Sequence, residues 1–156
     1  MPSLKRKDKA AATEAPLDLG PLGESVGYLV RRAQLTIFKR FFELFAEADI
    51  RPVQYSILTL VERNQGLSQT QLAGALGIKK TNLVSLIDEL EARRLVRRKP
   101  GGRDRRAREL YLTAEGAALT LRLHRMDAVL DRRISRTMSV GERRRLCSIL
   151  RQVAAL

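Results

Sequence analysis

The stretch GGRDRRARELYLTAEG, Gly101 to Gly116, sets four arginines around a single aspartate, Asp104, then alternates apolar with polar residues and ends like a helix start. From Arg93 to Arg108 there are nine Lys or Arg residues against that one acidic residue. A hairpin of this length cannot bury nine cations. As a merely solvated loop it would carry uncompensated repulsion, whereas beside a nucleic acid the same charges gain phosphate contacts and release counterions. The segment therefore reads as the wing next to a nucleic-acid-reading helix.

The other reactive side chains point away from catalysis. His124 is the single histidine and Cys147 the single cysteine. A lone histidine without a carboxylate or cysteine cluster at ligand spacing is a poor metal site and half a catalytic pair at best. Cys147, on the last helix among leucines, reads as a small buried hydrophobe rather than a redox switch, and one cysteine excludes an intrachain disulfide framework. There is no glycine-rich phosphate loop, no nucleophile elbow and no carboxylate pair in a pKa-raising context. We expect no enzyme, no cofactor and no metal.

Whole-chain composition agrees. With 156 residues, 44% hydrophobic and 30% charged, the chain can form one ordinary domain and a tail. No apolar run nears the roughly 20 residues of a bilayer span, and the basic patch Lys5, Arg6, Lys7, Lys9 has no apolar stretch behind it to make a signal peptide. The expected location is the cytoplasm. A net charge of +13 calls for a polyanionic partner, most commonly nucleic acid and next an anionic membrane surface, between which charge alone does not choose. Charge alone fits a non-specific architectural or RNA-binding protein as well as a sequence-reading one, so the elements must decide.

Six helices and a hairpin can be read. Val26, Leu29, Val30, Ala33, Ile37, Phe41, Leu44 and Phe45 recur at spacings of three and four along a long first helix. Pro52 suits the first turn of a second, with Val53, Ile57, Leu60 and Val61. Ser68 and Gln71 make a capping box for a short third helix that Gly77 stops. The fourth opens at Lys79 and Lys80, buries Leu83, Leu86, Ile87 and Leu90, and turns Thr81, Ser85 and Asp88 outward, flanked by Asn82 and Glu89. Two helices around the tight LGIKK link make a helix-turn-helix. The hairpin follows, with a Pro-Gly-Gly turn and Leu110 and Leu112 alternating with polar neighbours. Thr113 caps a fifth helix, and Ser139 with Glu142 a sixth whose Leu146, Ile149, Leu150 and Val153 need a partner.

The expected fold is mainly α with a small β-wing: a winged helix-turn-helix domain plus a helical dimerisation region. Residues 1–21 form a flexible basic arm, 22–50 an N-terminal dimerisation helix, 51–112 the DNA-binding region and 113–156 the C-terminal dimerisation helices.

This order of elements, with DRRARELYLTAEG, resembles the multiple antibiotic resistance regulator (MarR) family of winged-helix repressors. The likeness covers roughly Leu22 to Leu156, and its most specific part is Asp104, Arg106, Leu112, Thr113 and Gly116, which match the family's wing signature in spacing and order. The resemblance implies that Asp104 braces a wing arginine and that Arg106, or nearby Arg103 and Arg105, enters the minor groove. It places Lys79, Lys80, Thr81, Asn82 and Ser85 on the recognition helix, where Asn can pair with adenine, Lys with guanine or phosphate, and Thr and Ser with either. It implies a homodimer on double-stranded DNA with a pseudo-palindromic operator, and no membrane partner.

Family members commonly bind small phenolic or aromatic acids in a crevice between the dimerisation helices and the reading head, and lose DNA affinity when they do. Tyr28, Phe38 and Tyr55 would then be aromatic walls, with Arg31 or Arg32 anchoring a carboxylate or phosphate. The run ESVGYLVRRAQ further resembles regulators of hydroxycinnamate degradation that respond to aromatic acyl-CoA thioesters. Two departures stand out. Arg94 occupies the place where the family usually has glycine after the recognition helix, and Arg51, a poor N-cap, precedes Pro52.

Overall fold

Helix stop and start signals written into the chain set the architecture of the computed structural model, which describes residues 17–101 and 108–155. A 3₁₀ turn over Gly20–Glu24 leads into α1 (Val26–Phe45), and a second over Ala46–Ala48 follows it. Then come α2 (Pro52–Arg63), β1 (Leu67–Ser68), α3 (Gln69–Leu76), α4 (Lys80–Ala92), β2 (Val96–Pro100), β3 (Arg108–Leu112), α5 (Ala114–Ile134) and α6 (Val140–Val153). The expected helices are present, and the predicted caps make their bonds. Ser68 Oγ accepts from the Gln71 N–H at 3.2 Å, Thr113 Oγ1 from Gly116 at 2.9 Å, and Ser139 Oγ from Glu142 at 3.3 Å.

By compactness the chain divides into two units, residues 1–34 and 35–156, with the boundary inside α1. In the first, the described residues are mostly exposed, including Val26, Leu29 and Val30, and Tyr28 is half-buried. The second holds the core. Phe41 and Phe45 stack at 3.8 Å, and Ile57, Leu58, Leu72, Leu83, Ile87, Leu90, Leu110 and Leu123 are fully enclosed.

The sheet is larger than the expected hairpin. It has three antiparallel strands in the order β1-β3-β2, with Leu67 opposite Leu110 on one side and Arg98 opposite Leu110 on the other. Pro100 belongs to β2 and pairs with Arg108, so it is not a turn residue as the Pro-Gly-Gly reading had it. A proline fits there because β2 is an edge strand that can spare an N–H.

Both departures from the family pattern have a local solution. Arg94 adopts the left-handed conformation, φ 56°, while its N–H bonds the Glu91 carbonyl and Leu95 bonds the Leu90 carbonyl, each at 2.9 Å. This is the geometry of a Schellman stop, built here on a residue that pays a steric penalty for it. Arg51 leaves capping to its neighbour: Gln54, buried, accepts the Arg51 N–H at 3.0 Å and donates to Glu89 of α4 at 2.9 Å. The Arg51 guanidinium also pairs with Glu89. One carboxylate thus ties the start of α2 to the middle of α4.

Candidate nucleic-acid interface and effector crevice

Helix α4 buries Leu83, Ile87 and Leu90 and leaves Lys79, Lys80, Thr81, Asn82 and Ser85 exposed together on its N-terminal half. No side chain caps its first turn, so the positive end of the helix dipole and two lysines face the same way. Ser85 Oγ donates to the Asn82 carbonyl at 3.1 Å, which spends its proton within the helix. Gly77 at φ 64° and the Ile78 N–H to Ala73 carbonyl bond, 3.2 Å, make the link between α3 and α4 as tight as the sequence required.

The strand register decides which wing cations are available. Residues opposite one another share a face of the sheet, so Arg98 lies with Leu110, Val96 and Leu112 on the side that packs inward. Its guanidinium grips α4 through Asp88 at 2.5 Å and through Glu91, and its backbone N–H reaches Glu91 at 3.1 Å. Arg93 is also occupied, donating to the carbonyls of Asp49 at 2.6 Å and Ala48 at 3.0 Å. Two of the nine cations assigned to a polyanion are therefore structural, with acidic or carbonyl partners outside their own segment. Arg97 and Arg108 are exposed, and Lys99 sits over the Tyr111 ring at 4.9 Å, where the ring supports the charge without hiding it. Arg103, Asp104, Arg105 and Arg106 lie outside the described residues.

The joint behind the wing accounts for the Leu-Thr-x-x-Gly part of the motif. Thr113 Oγ1 donates to the Arg94 carbonyl at 2.5 Å, and the Thr113 N–H to the Leu95 carbonyl at 3.1 Å. Gly116 is buried directly against that Leu95 carbonyl. The end of α4, the start of β2 and the start of α5 meet at this one place.

A second feature lies within residues 35–156. Ile37, Phe41, Pro52, Tyr55, Ser56, Asp127, Leu130, Asp131 and Ile134 line a crevice of about 280 Å³. Of the expected ligand residues, Tyr55 lines it. Phe38 is beside the lining Ile37 in sequence but is 39% exposed and outside the lining set. Arg31 and Arg32 are exposed and, with Tyr28, belong to the unit ending at residue 34.

Burial first, and then the Asp127 carboxylate, push the Tyr55 hydroxyl up to about 12. The hydroxyl is 3.0 Å from His124 Nδ1, and His124 Nε2 is 2.8 Å from Glu62. His124, which the sequence left without a carboxylate, has one from α2. Asp131 binds Arg143 of α6 at 2.6 Å. The periodicity of α5 puts His124, Asp127 and Asp131 on one side of that helix, three and four residues apart. That was the available signal, but it does not say which helix they meet. Cys147 is half-buried.

The chain is similar to known regulators. Residues 48–107 match the model of the MarR family. A protein of Thauera aromatica named for transcriptional regulation of the hcr operon is 28% identical over 151 residues, covering 96% of this chain and 91% of that one. The transcriptional repressor CouR bound to a 23-mer DNA duplex is 35% identical, with a TM-score of 0.85 over 90% of this chain and 99% of that one. CouR bound to p-coumaroyl-CoA is 34% identical, with a TM-score of 0.81 over 89% and 98%. Among the described residues no helix is long and apolar enough to cross a membrane. The chain belongs to the MarR family, and it is a transcriptional regulator of that type.

Proposed function

We propose that the protein is a homodimeric repressor that reads a pseudo-palindromic operator with α4 in the major groove and the wing in the adjacent minor groove, and that an aromatic acyl thioester releases it. The observation that carries this reading is the exposed cluster of Lys79, Lys80, Thr81, Asn82 and Ser85 beside a wing that Arg98 fastens to the same helix. Phosphate contacts from Lys79, Lys80 and the wing set the register, and Asn82 and Thr81 read base edges. Two-fold symmetry places half-sites about one helical turn apart.

Support for the dimer comes from α6, where Leu146, Ile149, Leu150 and Val153 form an apolar stripe, each between 38% and 46% exposed. On α1, Leu29, Val30, Leu35 and Phe42 are also exposed. A chain this charged does not leave two such faces in water, and self-complementary faces of this kind favour a second copy.

Support for the effector comes from the crevice, whose size suits the aromatic end of a ligand. Among the described residues Asp127 and Asp131 line it and no basic side chain does; with Asp131 paired to Arg143, the Asp127 carboxylate disfavours the free carboxylate of an aromatic acid and favours its thioester. CouR, solved with p-coumaroyl-CoA, gives the class of compound to try. DNA and effector oppose each other because each binds a different spacing of the two heads.

Fluorescence anisotropy on promoter DNA flanking the protein's own gene, against scrambled duplex, tests the reading. A preference of about a thousandfold, lost on adding p-coumaroyl-CoA, is expected. Equal binding to both duplexes would replace the repressor by a non-specific basic protein.

A further inference from the structure

The start of α2 faces two ways. Pro52, Tyr55 and Ser56 line the crevice together with Ile37 and Phe41 of α1. Gln54 falls on the other side of the same helix by its spacing, is buried, and donates to Glu89 Oε2 of α4 at 2.9 Å. The orientation of its amide is set, because the amide oxygen already accepts the Arg51 N–H. The Arg51 guanidinium pairs with the same Glu89 oxygen. One turn further along α4, Arg93 donates to the carbonyls of Ala48 and Asp49 in the bend between α1 and α2. Two walls of the crevice therefore meet at a bend that α4 holds at two points, and the same stretch of α4 supplies Asp88 and Glu91 to Arg98 of the wing.

We propose that the Gln54–Glu89 contact, with Arg93 behind it, is the clamp through which filling of the crevice reaches the reading elements. An occupant that shifts the start of α2 must carry α4 and the wing with it or break a buried hydrogen bond. A buried amide left unpaired is expensive, and close-packed helices pass a displacement on instead of absorbing it, so α4 follows. Gln54, Glu89 and Arg93 are positioning residues: none of them lines the crevice or belongs to the exposed reading cluster. The Arg51–Glu89 pair, with both side chains half exposed, adds little of its own, which makes Gln54 the coupling member. The inference rests on the crevice being the effector site, and it adds the contact that links that site to α4.

Exchanging the two polar groups isolates the clamp. Gln54→Glu keeps an oxygen for the Arg51 N–H but sets a carboxylate against Glu89, and adding Glu89→Gln restores one donor and one acceptor in reversed order. The crevice is filled without any ligand by Ser56→Phe on α2 or by Ile134→Trp on α5, in the wild-type, Gln54→Glu and exchanged backgrounds. Operator Kd is read by fluorescence anisotropy, amide hydrogen exchange over residues 80–92 is read without DNA, and thermal melting reports folding. Filling should weaken operator binding by about tenfold in the wild type, by less than about threefold with Gln54→Glu, and by about tenfold again in the exchanged pair, with exchange over residues 80–92 changing in the same pattern. A merely structural role for Gln54 would lower the melting temperature and leave the filling factor as it is in the wild type.

The same filling factor in all three backgrounds, no effect of either filling variant on binding or exchange, or no recovery in the exchanged pair would overturn the proposal. The expected exchange pattern in a protein that binds promoter and scrambled duplex alike would sink the repressor reading alone. The full pattern in a protein that p-coumaroyl-CoA does not release from its operator would sink the thioester reading alone, while release by p-coumaroyl-CoA undiminished in Gln54→Glu would sink the clamp alone.

Discussion

Gly116 approaches the Leu95 carbonyl so closely that a methyl group built on it would stand 1.9 Å from that oxygen. The contact joins the start of α5 to the residue between the α4 stop and β2, where the Thr113 N–H also bonds the Leu95 carbonyl. Backbone on both sides cannot yield as a side chain would. Gly116→Ala should therefore lower the unfolding free energy by about 3 kcal/mol, read from denaturant midpoints. A loss under about 0.5 kcal/mol would show that the joint gives way.

Arg94 predicts the opposite sign. At φ 56° it holds a conformation that costs a residue with a β-carbon about 1–2 kcal/mol, partly offset because glycine loses more chain entropy on folding. Its backbone makes the stop and its side chain is exposed. Arg94→Gly should stabilise the protein by about 0.5–1 kcal/mol in the same assay, and destabilisation would mean that the guanidinium has a partner worth more than the strain.

These two residues show what the chain makes legible. Caps and stops are local, so Ser68 with Gln71, Thr113, Gly77 and Ser139 with Glu142 could be placed from spacing alone, and each makes its expected bond. Long-range pairing could not. Strand β1 has only Leu67 and Ser68, too short for any period, and exists because Leu110 lies opposite. The inward turn of Arg98 depends on strand register and on acidic residues seven and ten positions back along the chain, so a local charge count does not distinguish it from a free cation. In the crevice Tyr55 could be found as an aromatic on an amphipathic helix, whereas Asp127 and Asp131 reach it only through the packing of α5 on α2.

That distinction between cations has a measurable consequence. Arg98 is neutralised by Asp88 and Glu91 within the protein, so it releases no counterion from DNA. Arg98→Ala should weaken operator binding by roughly tenfold, by freeing the wing from α4, while leaving the slope of log K against log salt unchanged. Arg106→Ala should weaken binding and reduce that slope by about 1 while sparing the dimer. Equal slope changes in the two variants would return Arg98 to the phosphate-binding set, and unchanged affinity on losing Arg106 would remove it from the wing's contacts.

Tyr55 gives a spectroscopic prediction at high pH. Its folded pKa lies near 12, above the ordinary 10.0, because burial and then Asp127 disfavour the phenolate. A group whose pKa is raised on folding contributes stability that is fully present below the unfolded value and lost as pH rises through the folded one, so the contribution fades between about pH 10 and 12. Phenolate absorbance of the native protein, which has three tyrosines, should show a phase near pH 12 that Tyr55→Phe abolishes. Titration of Tyr55 with the ordinary phase would mean that the crevice is wetter than its lining indicates.

Asn82 separates reading from holding. It is exposed on α4 one position past Thr81, and its amide offers both a donor and an acceptor, the pairing that adenine presents in the major groove. Lys80, two residues earlier, has donors only and serves phosphate or guanine. Asn82→Ala should cost about 1–3 kcal/mol on the selected operator and almost nothing on scrambled duplex, so that the specificity ratio falls with the affinity. An equal loss on both duplexes would assign Asn82 to the phosphate backbone and leave base reading to Thr81, Ser85 and the lysines.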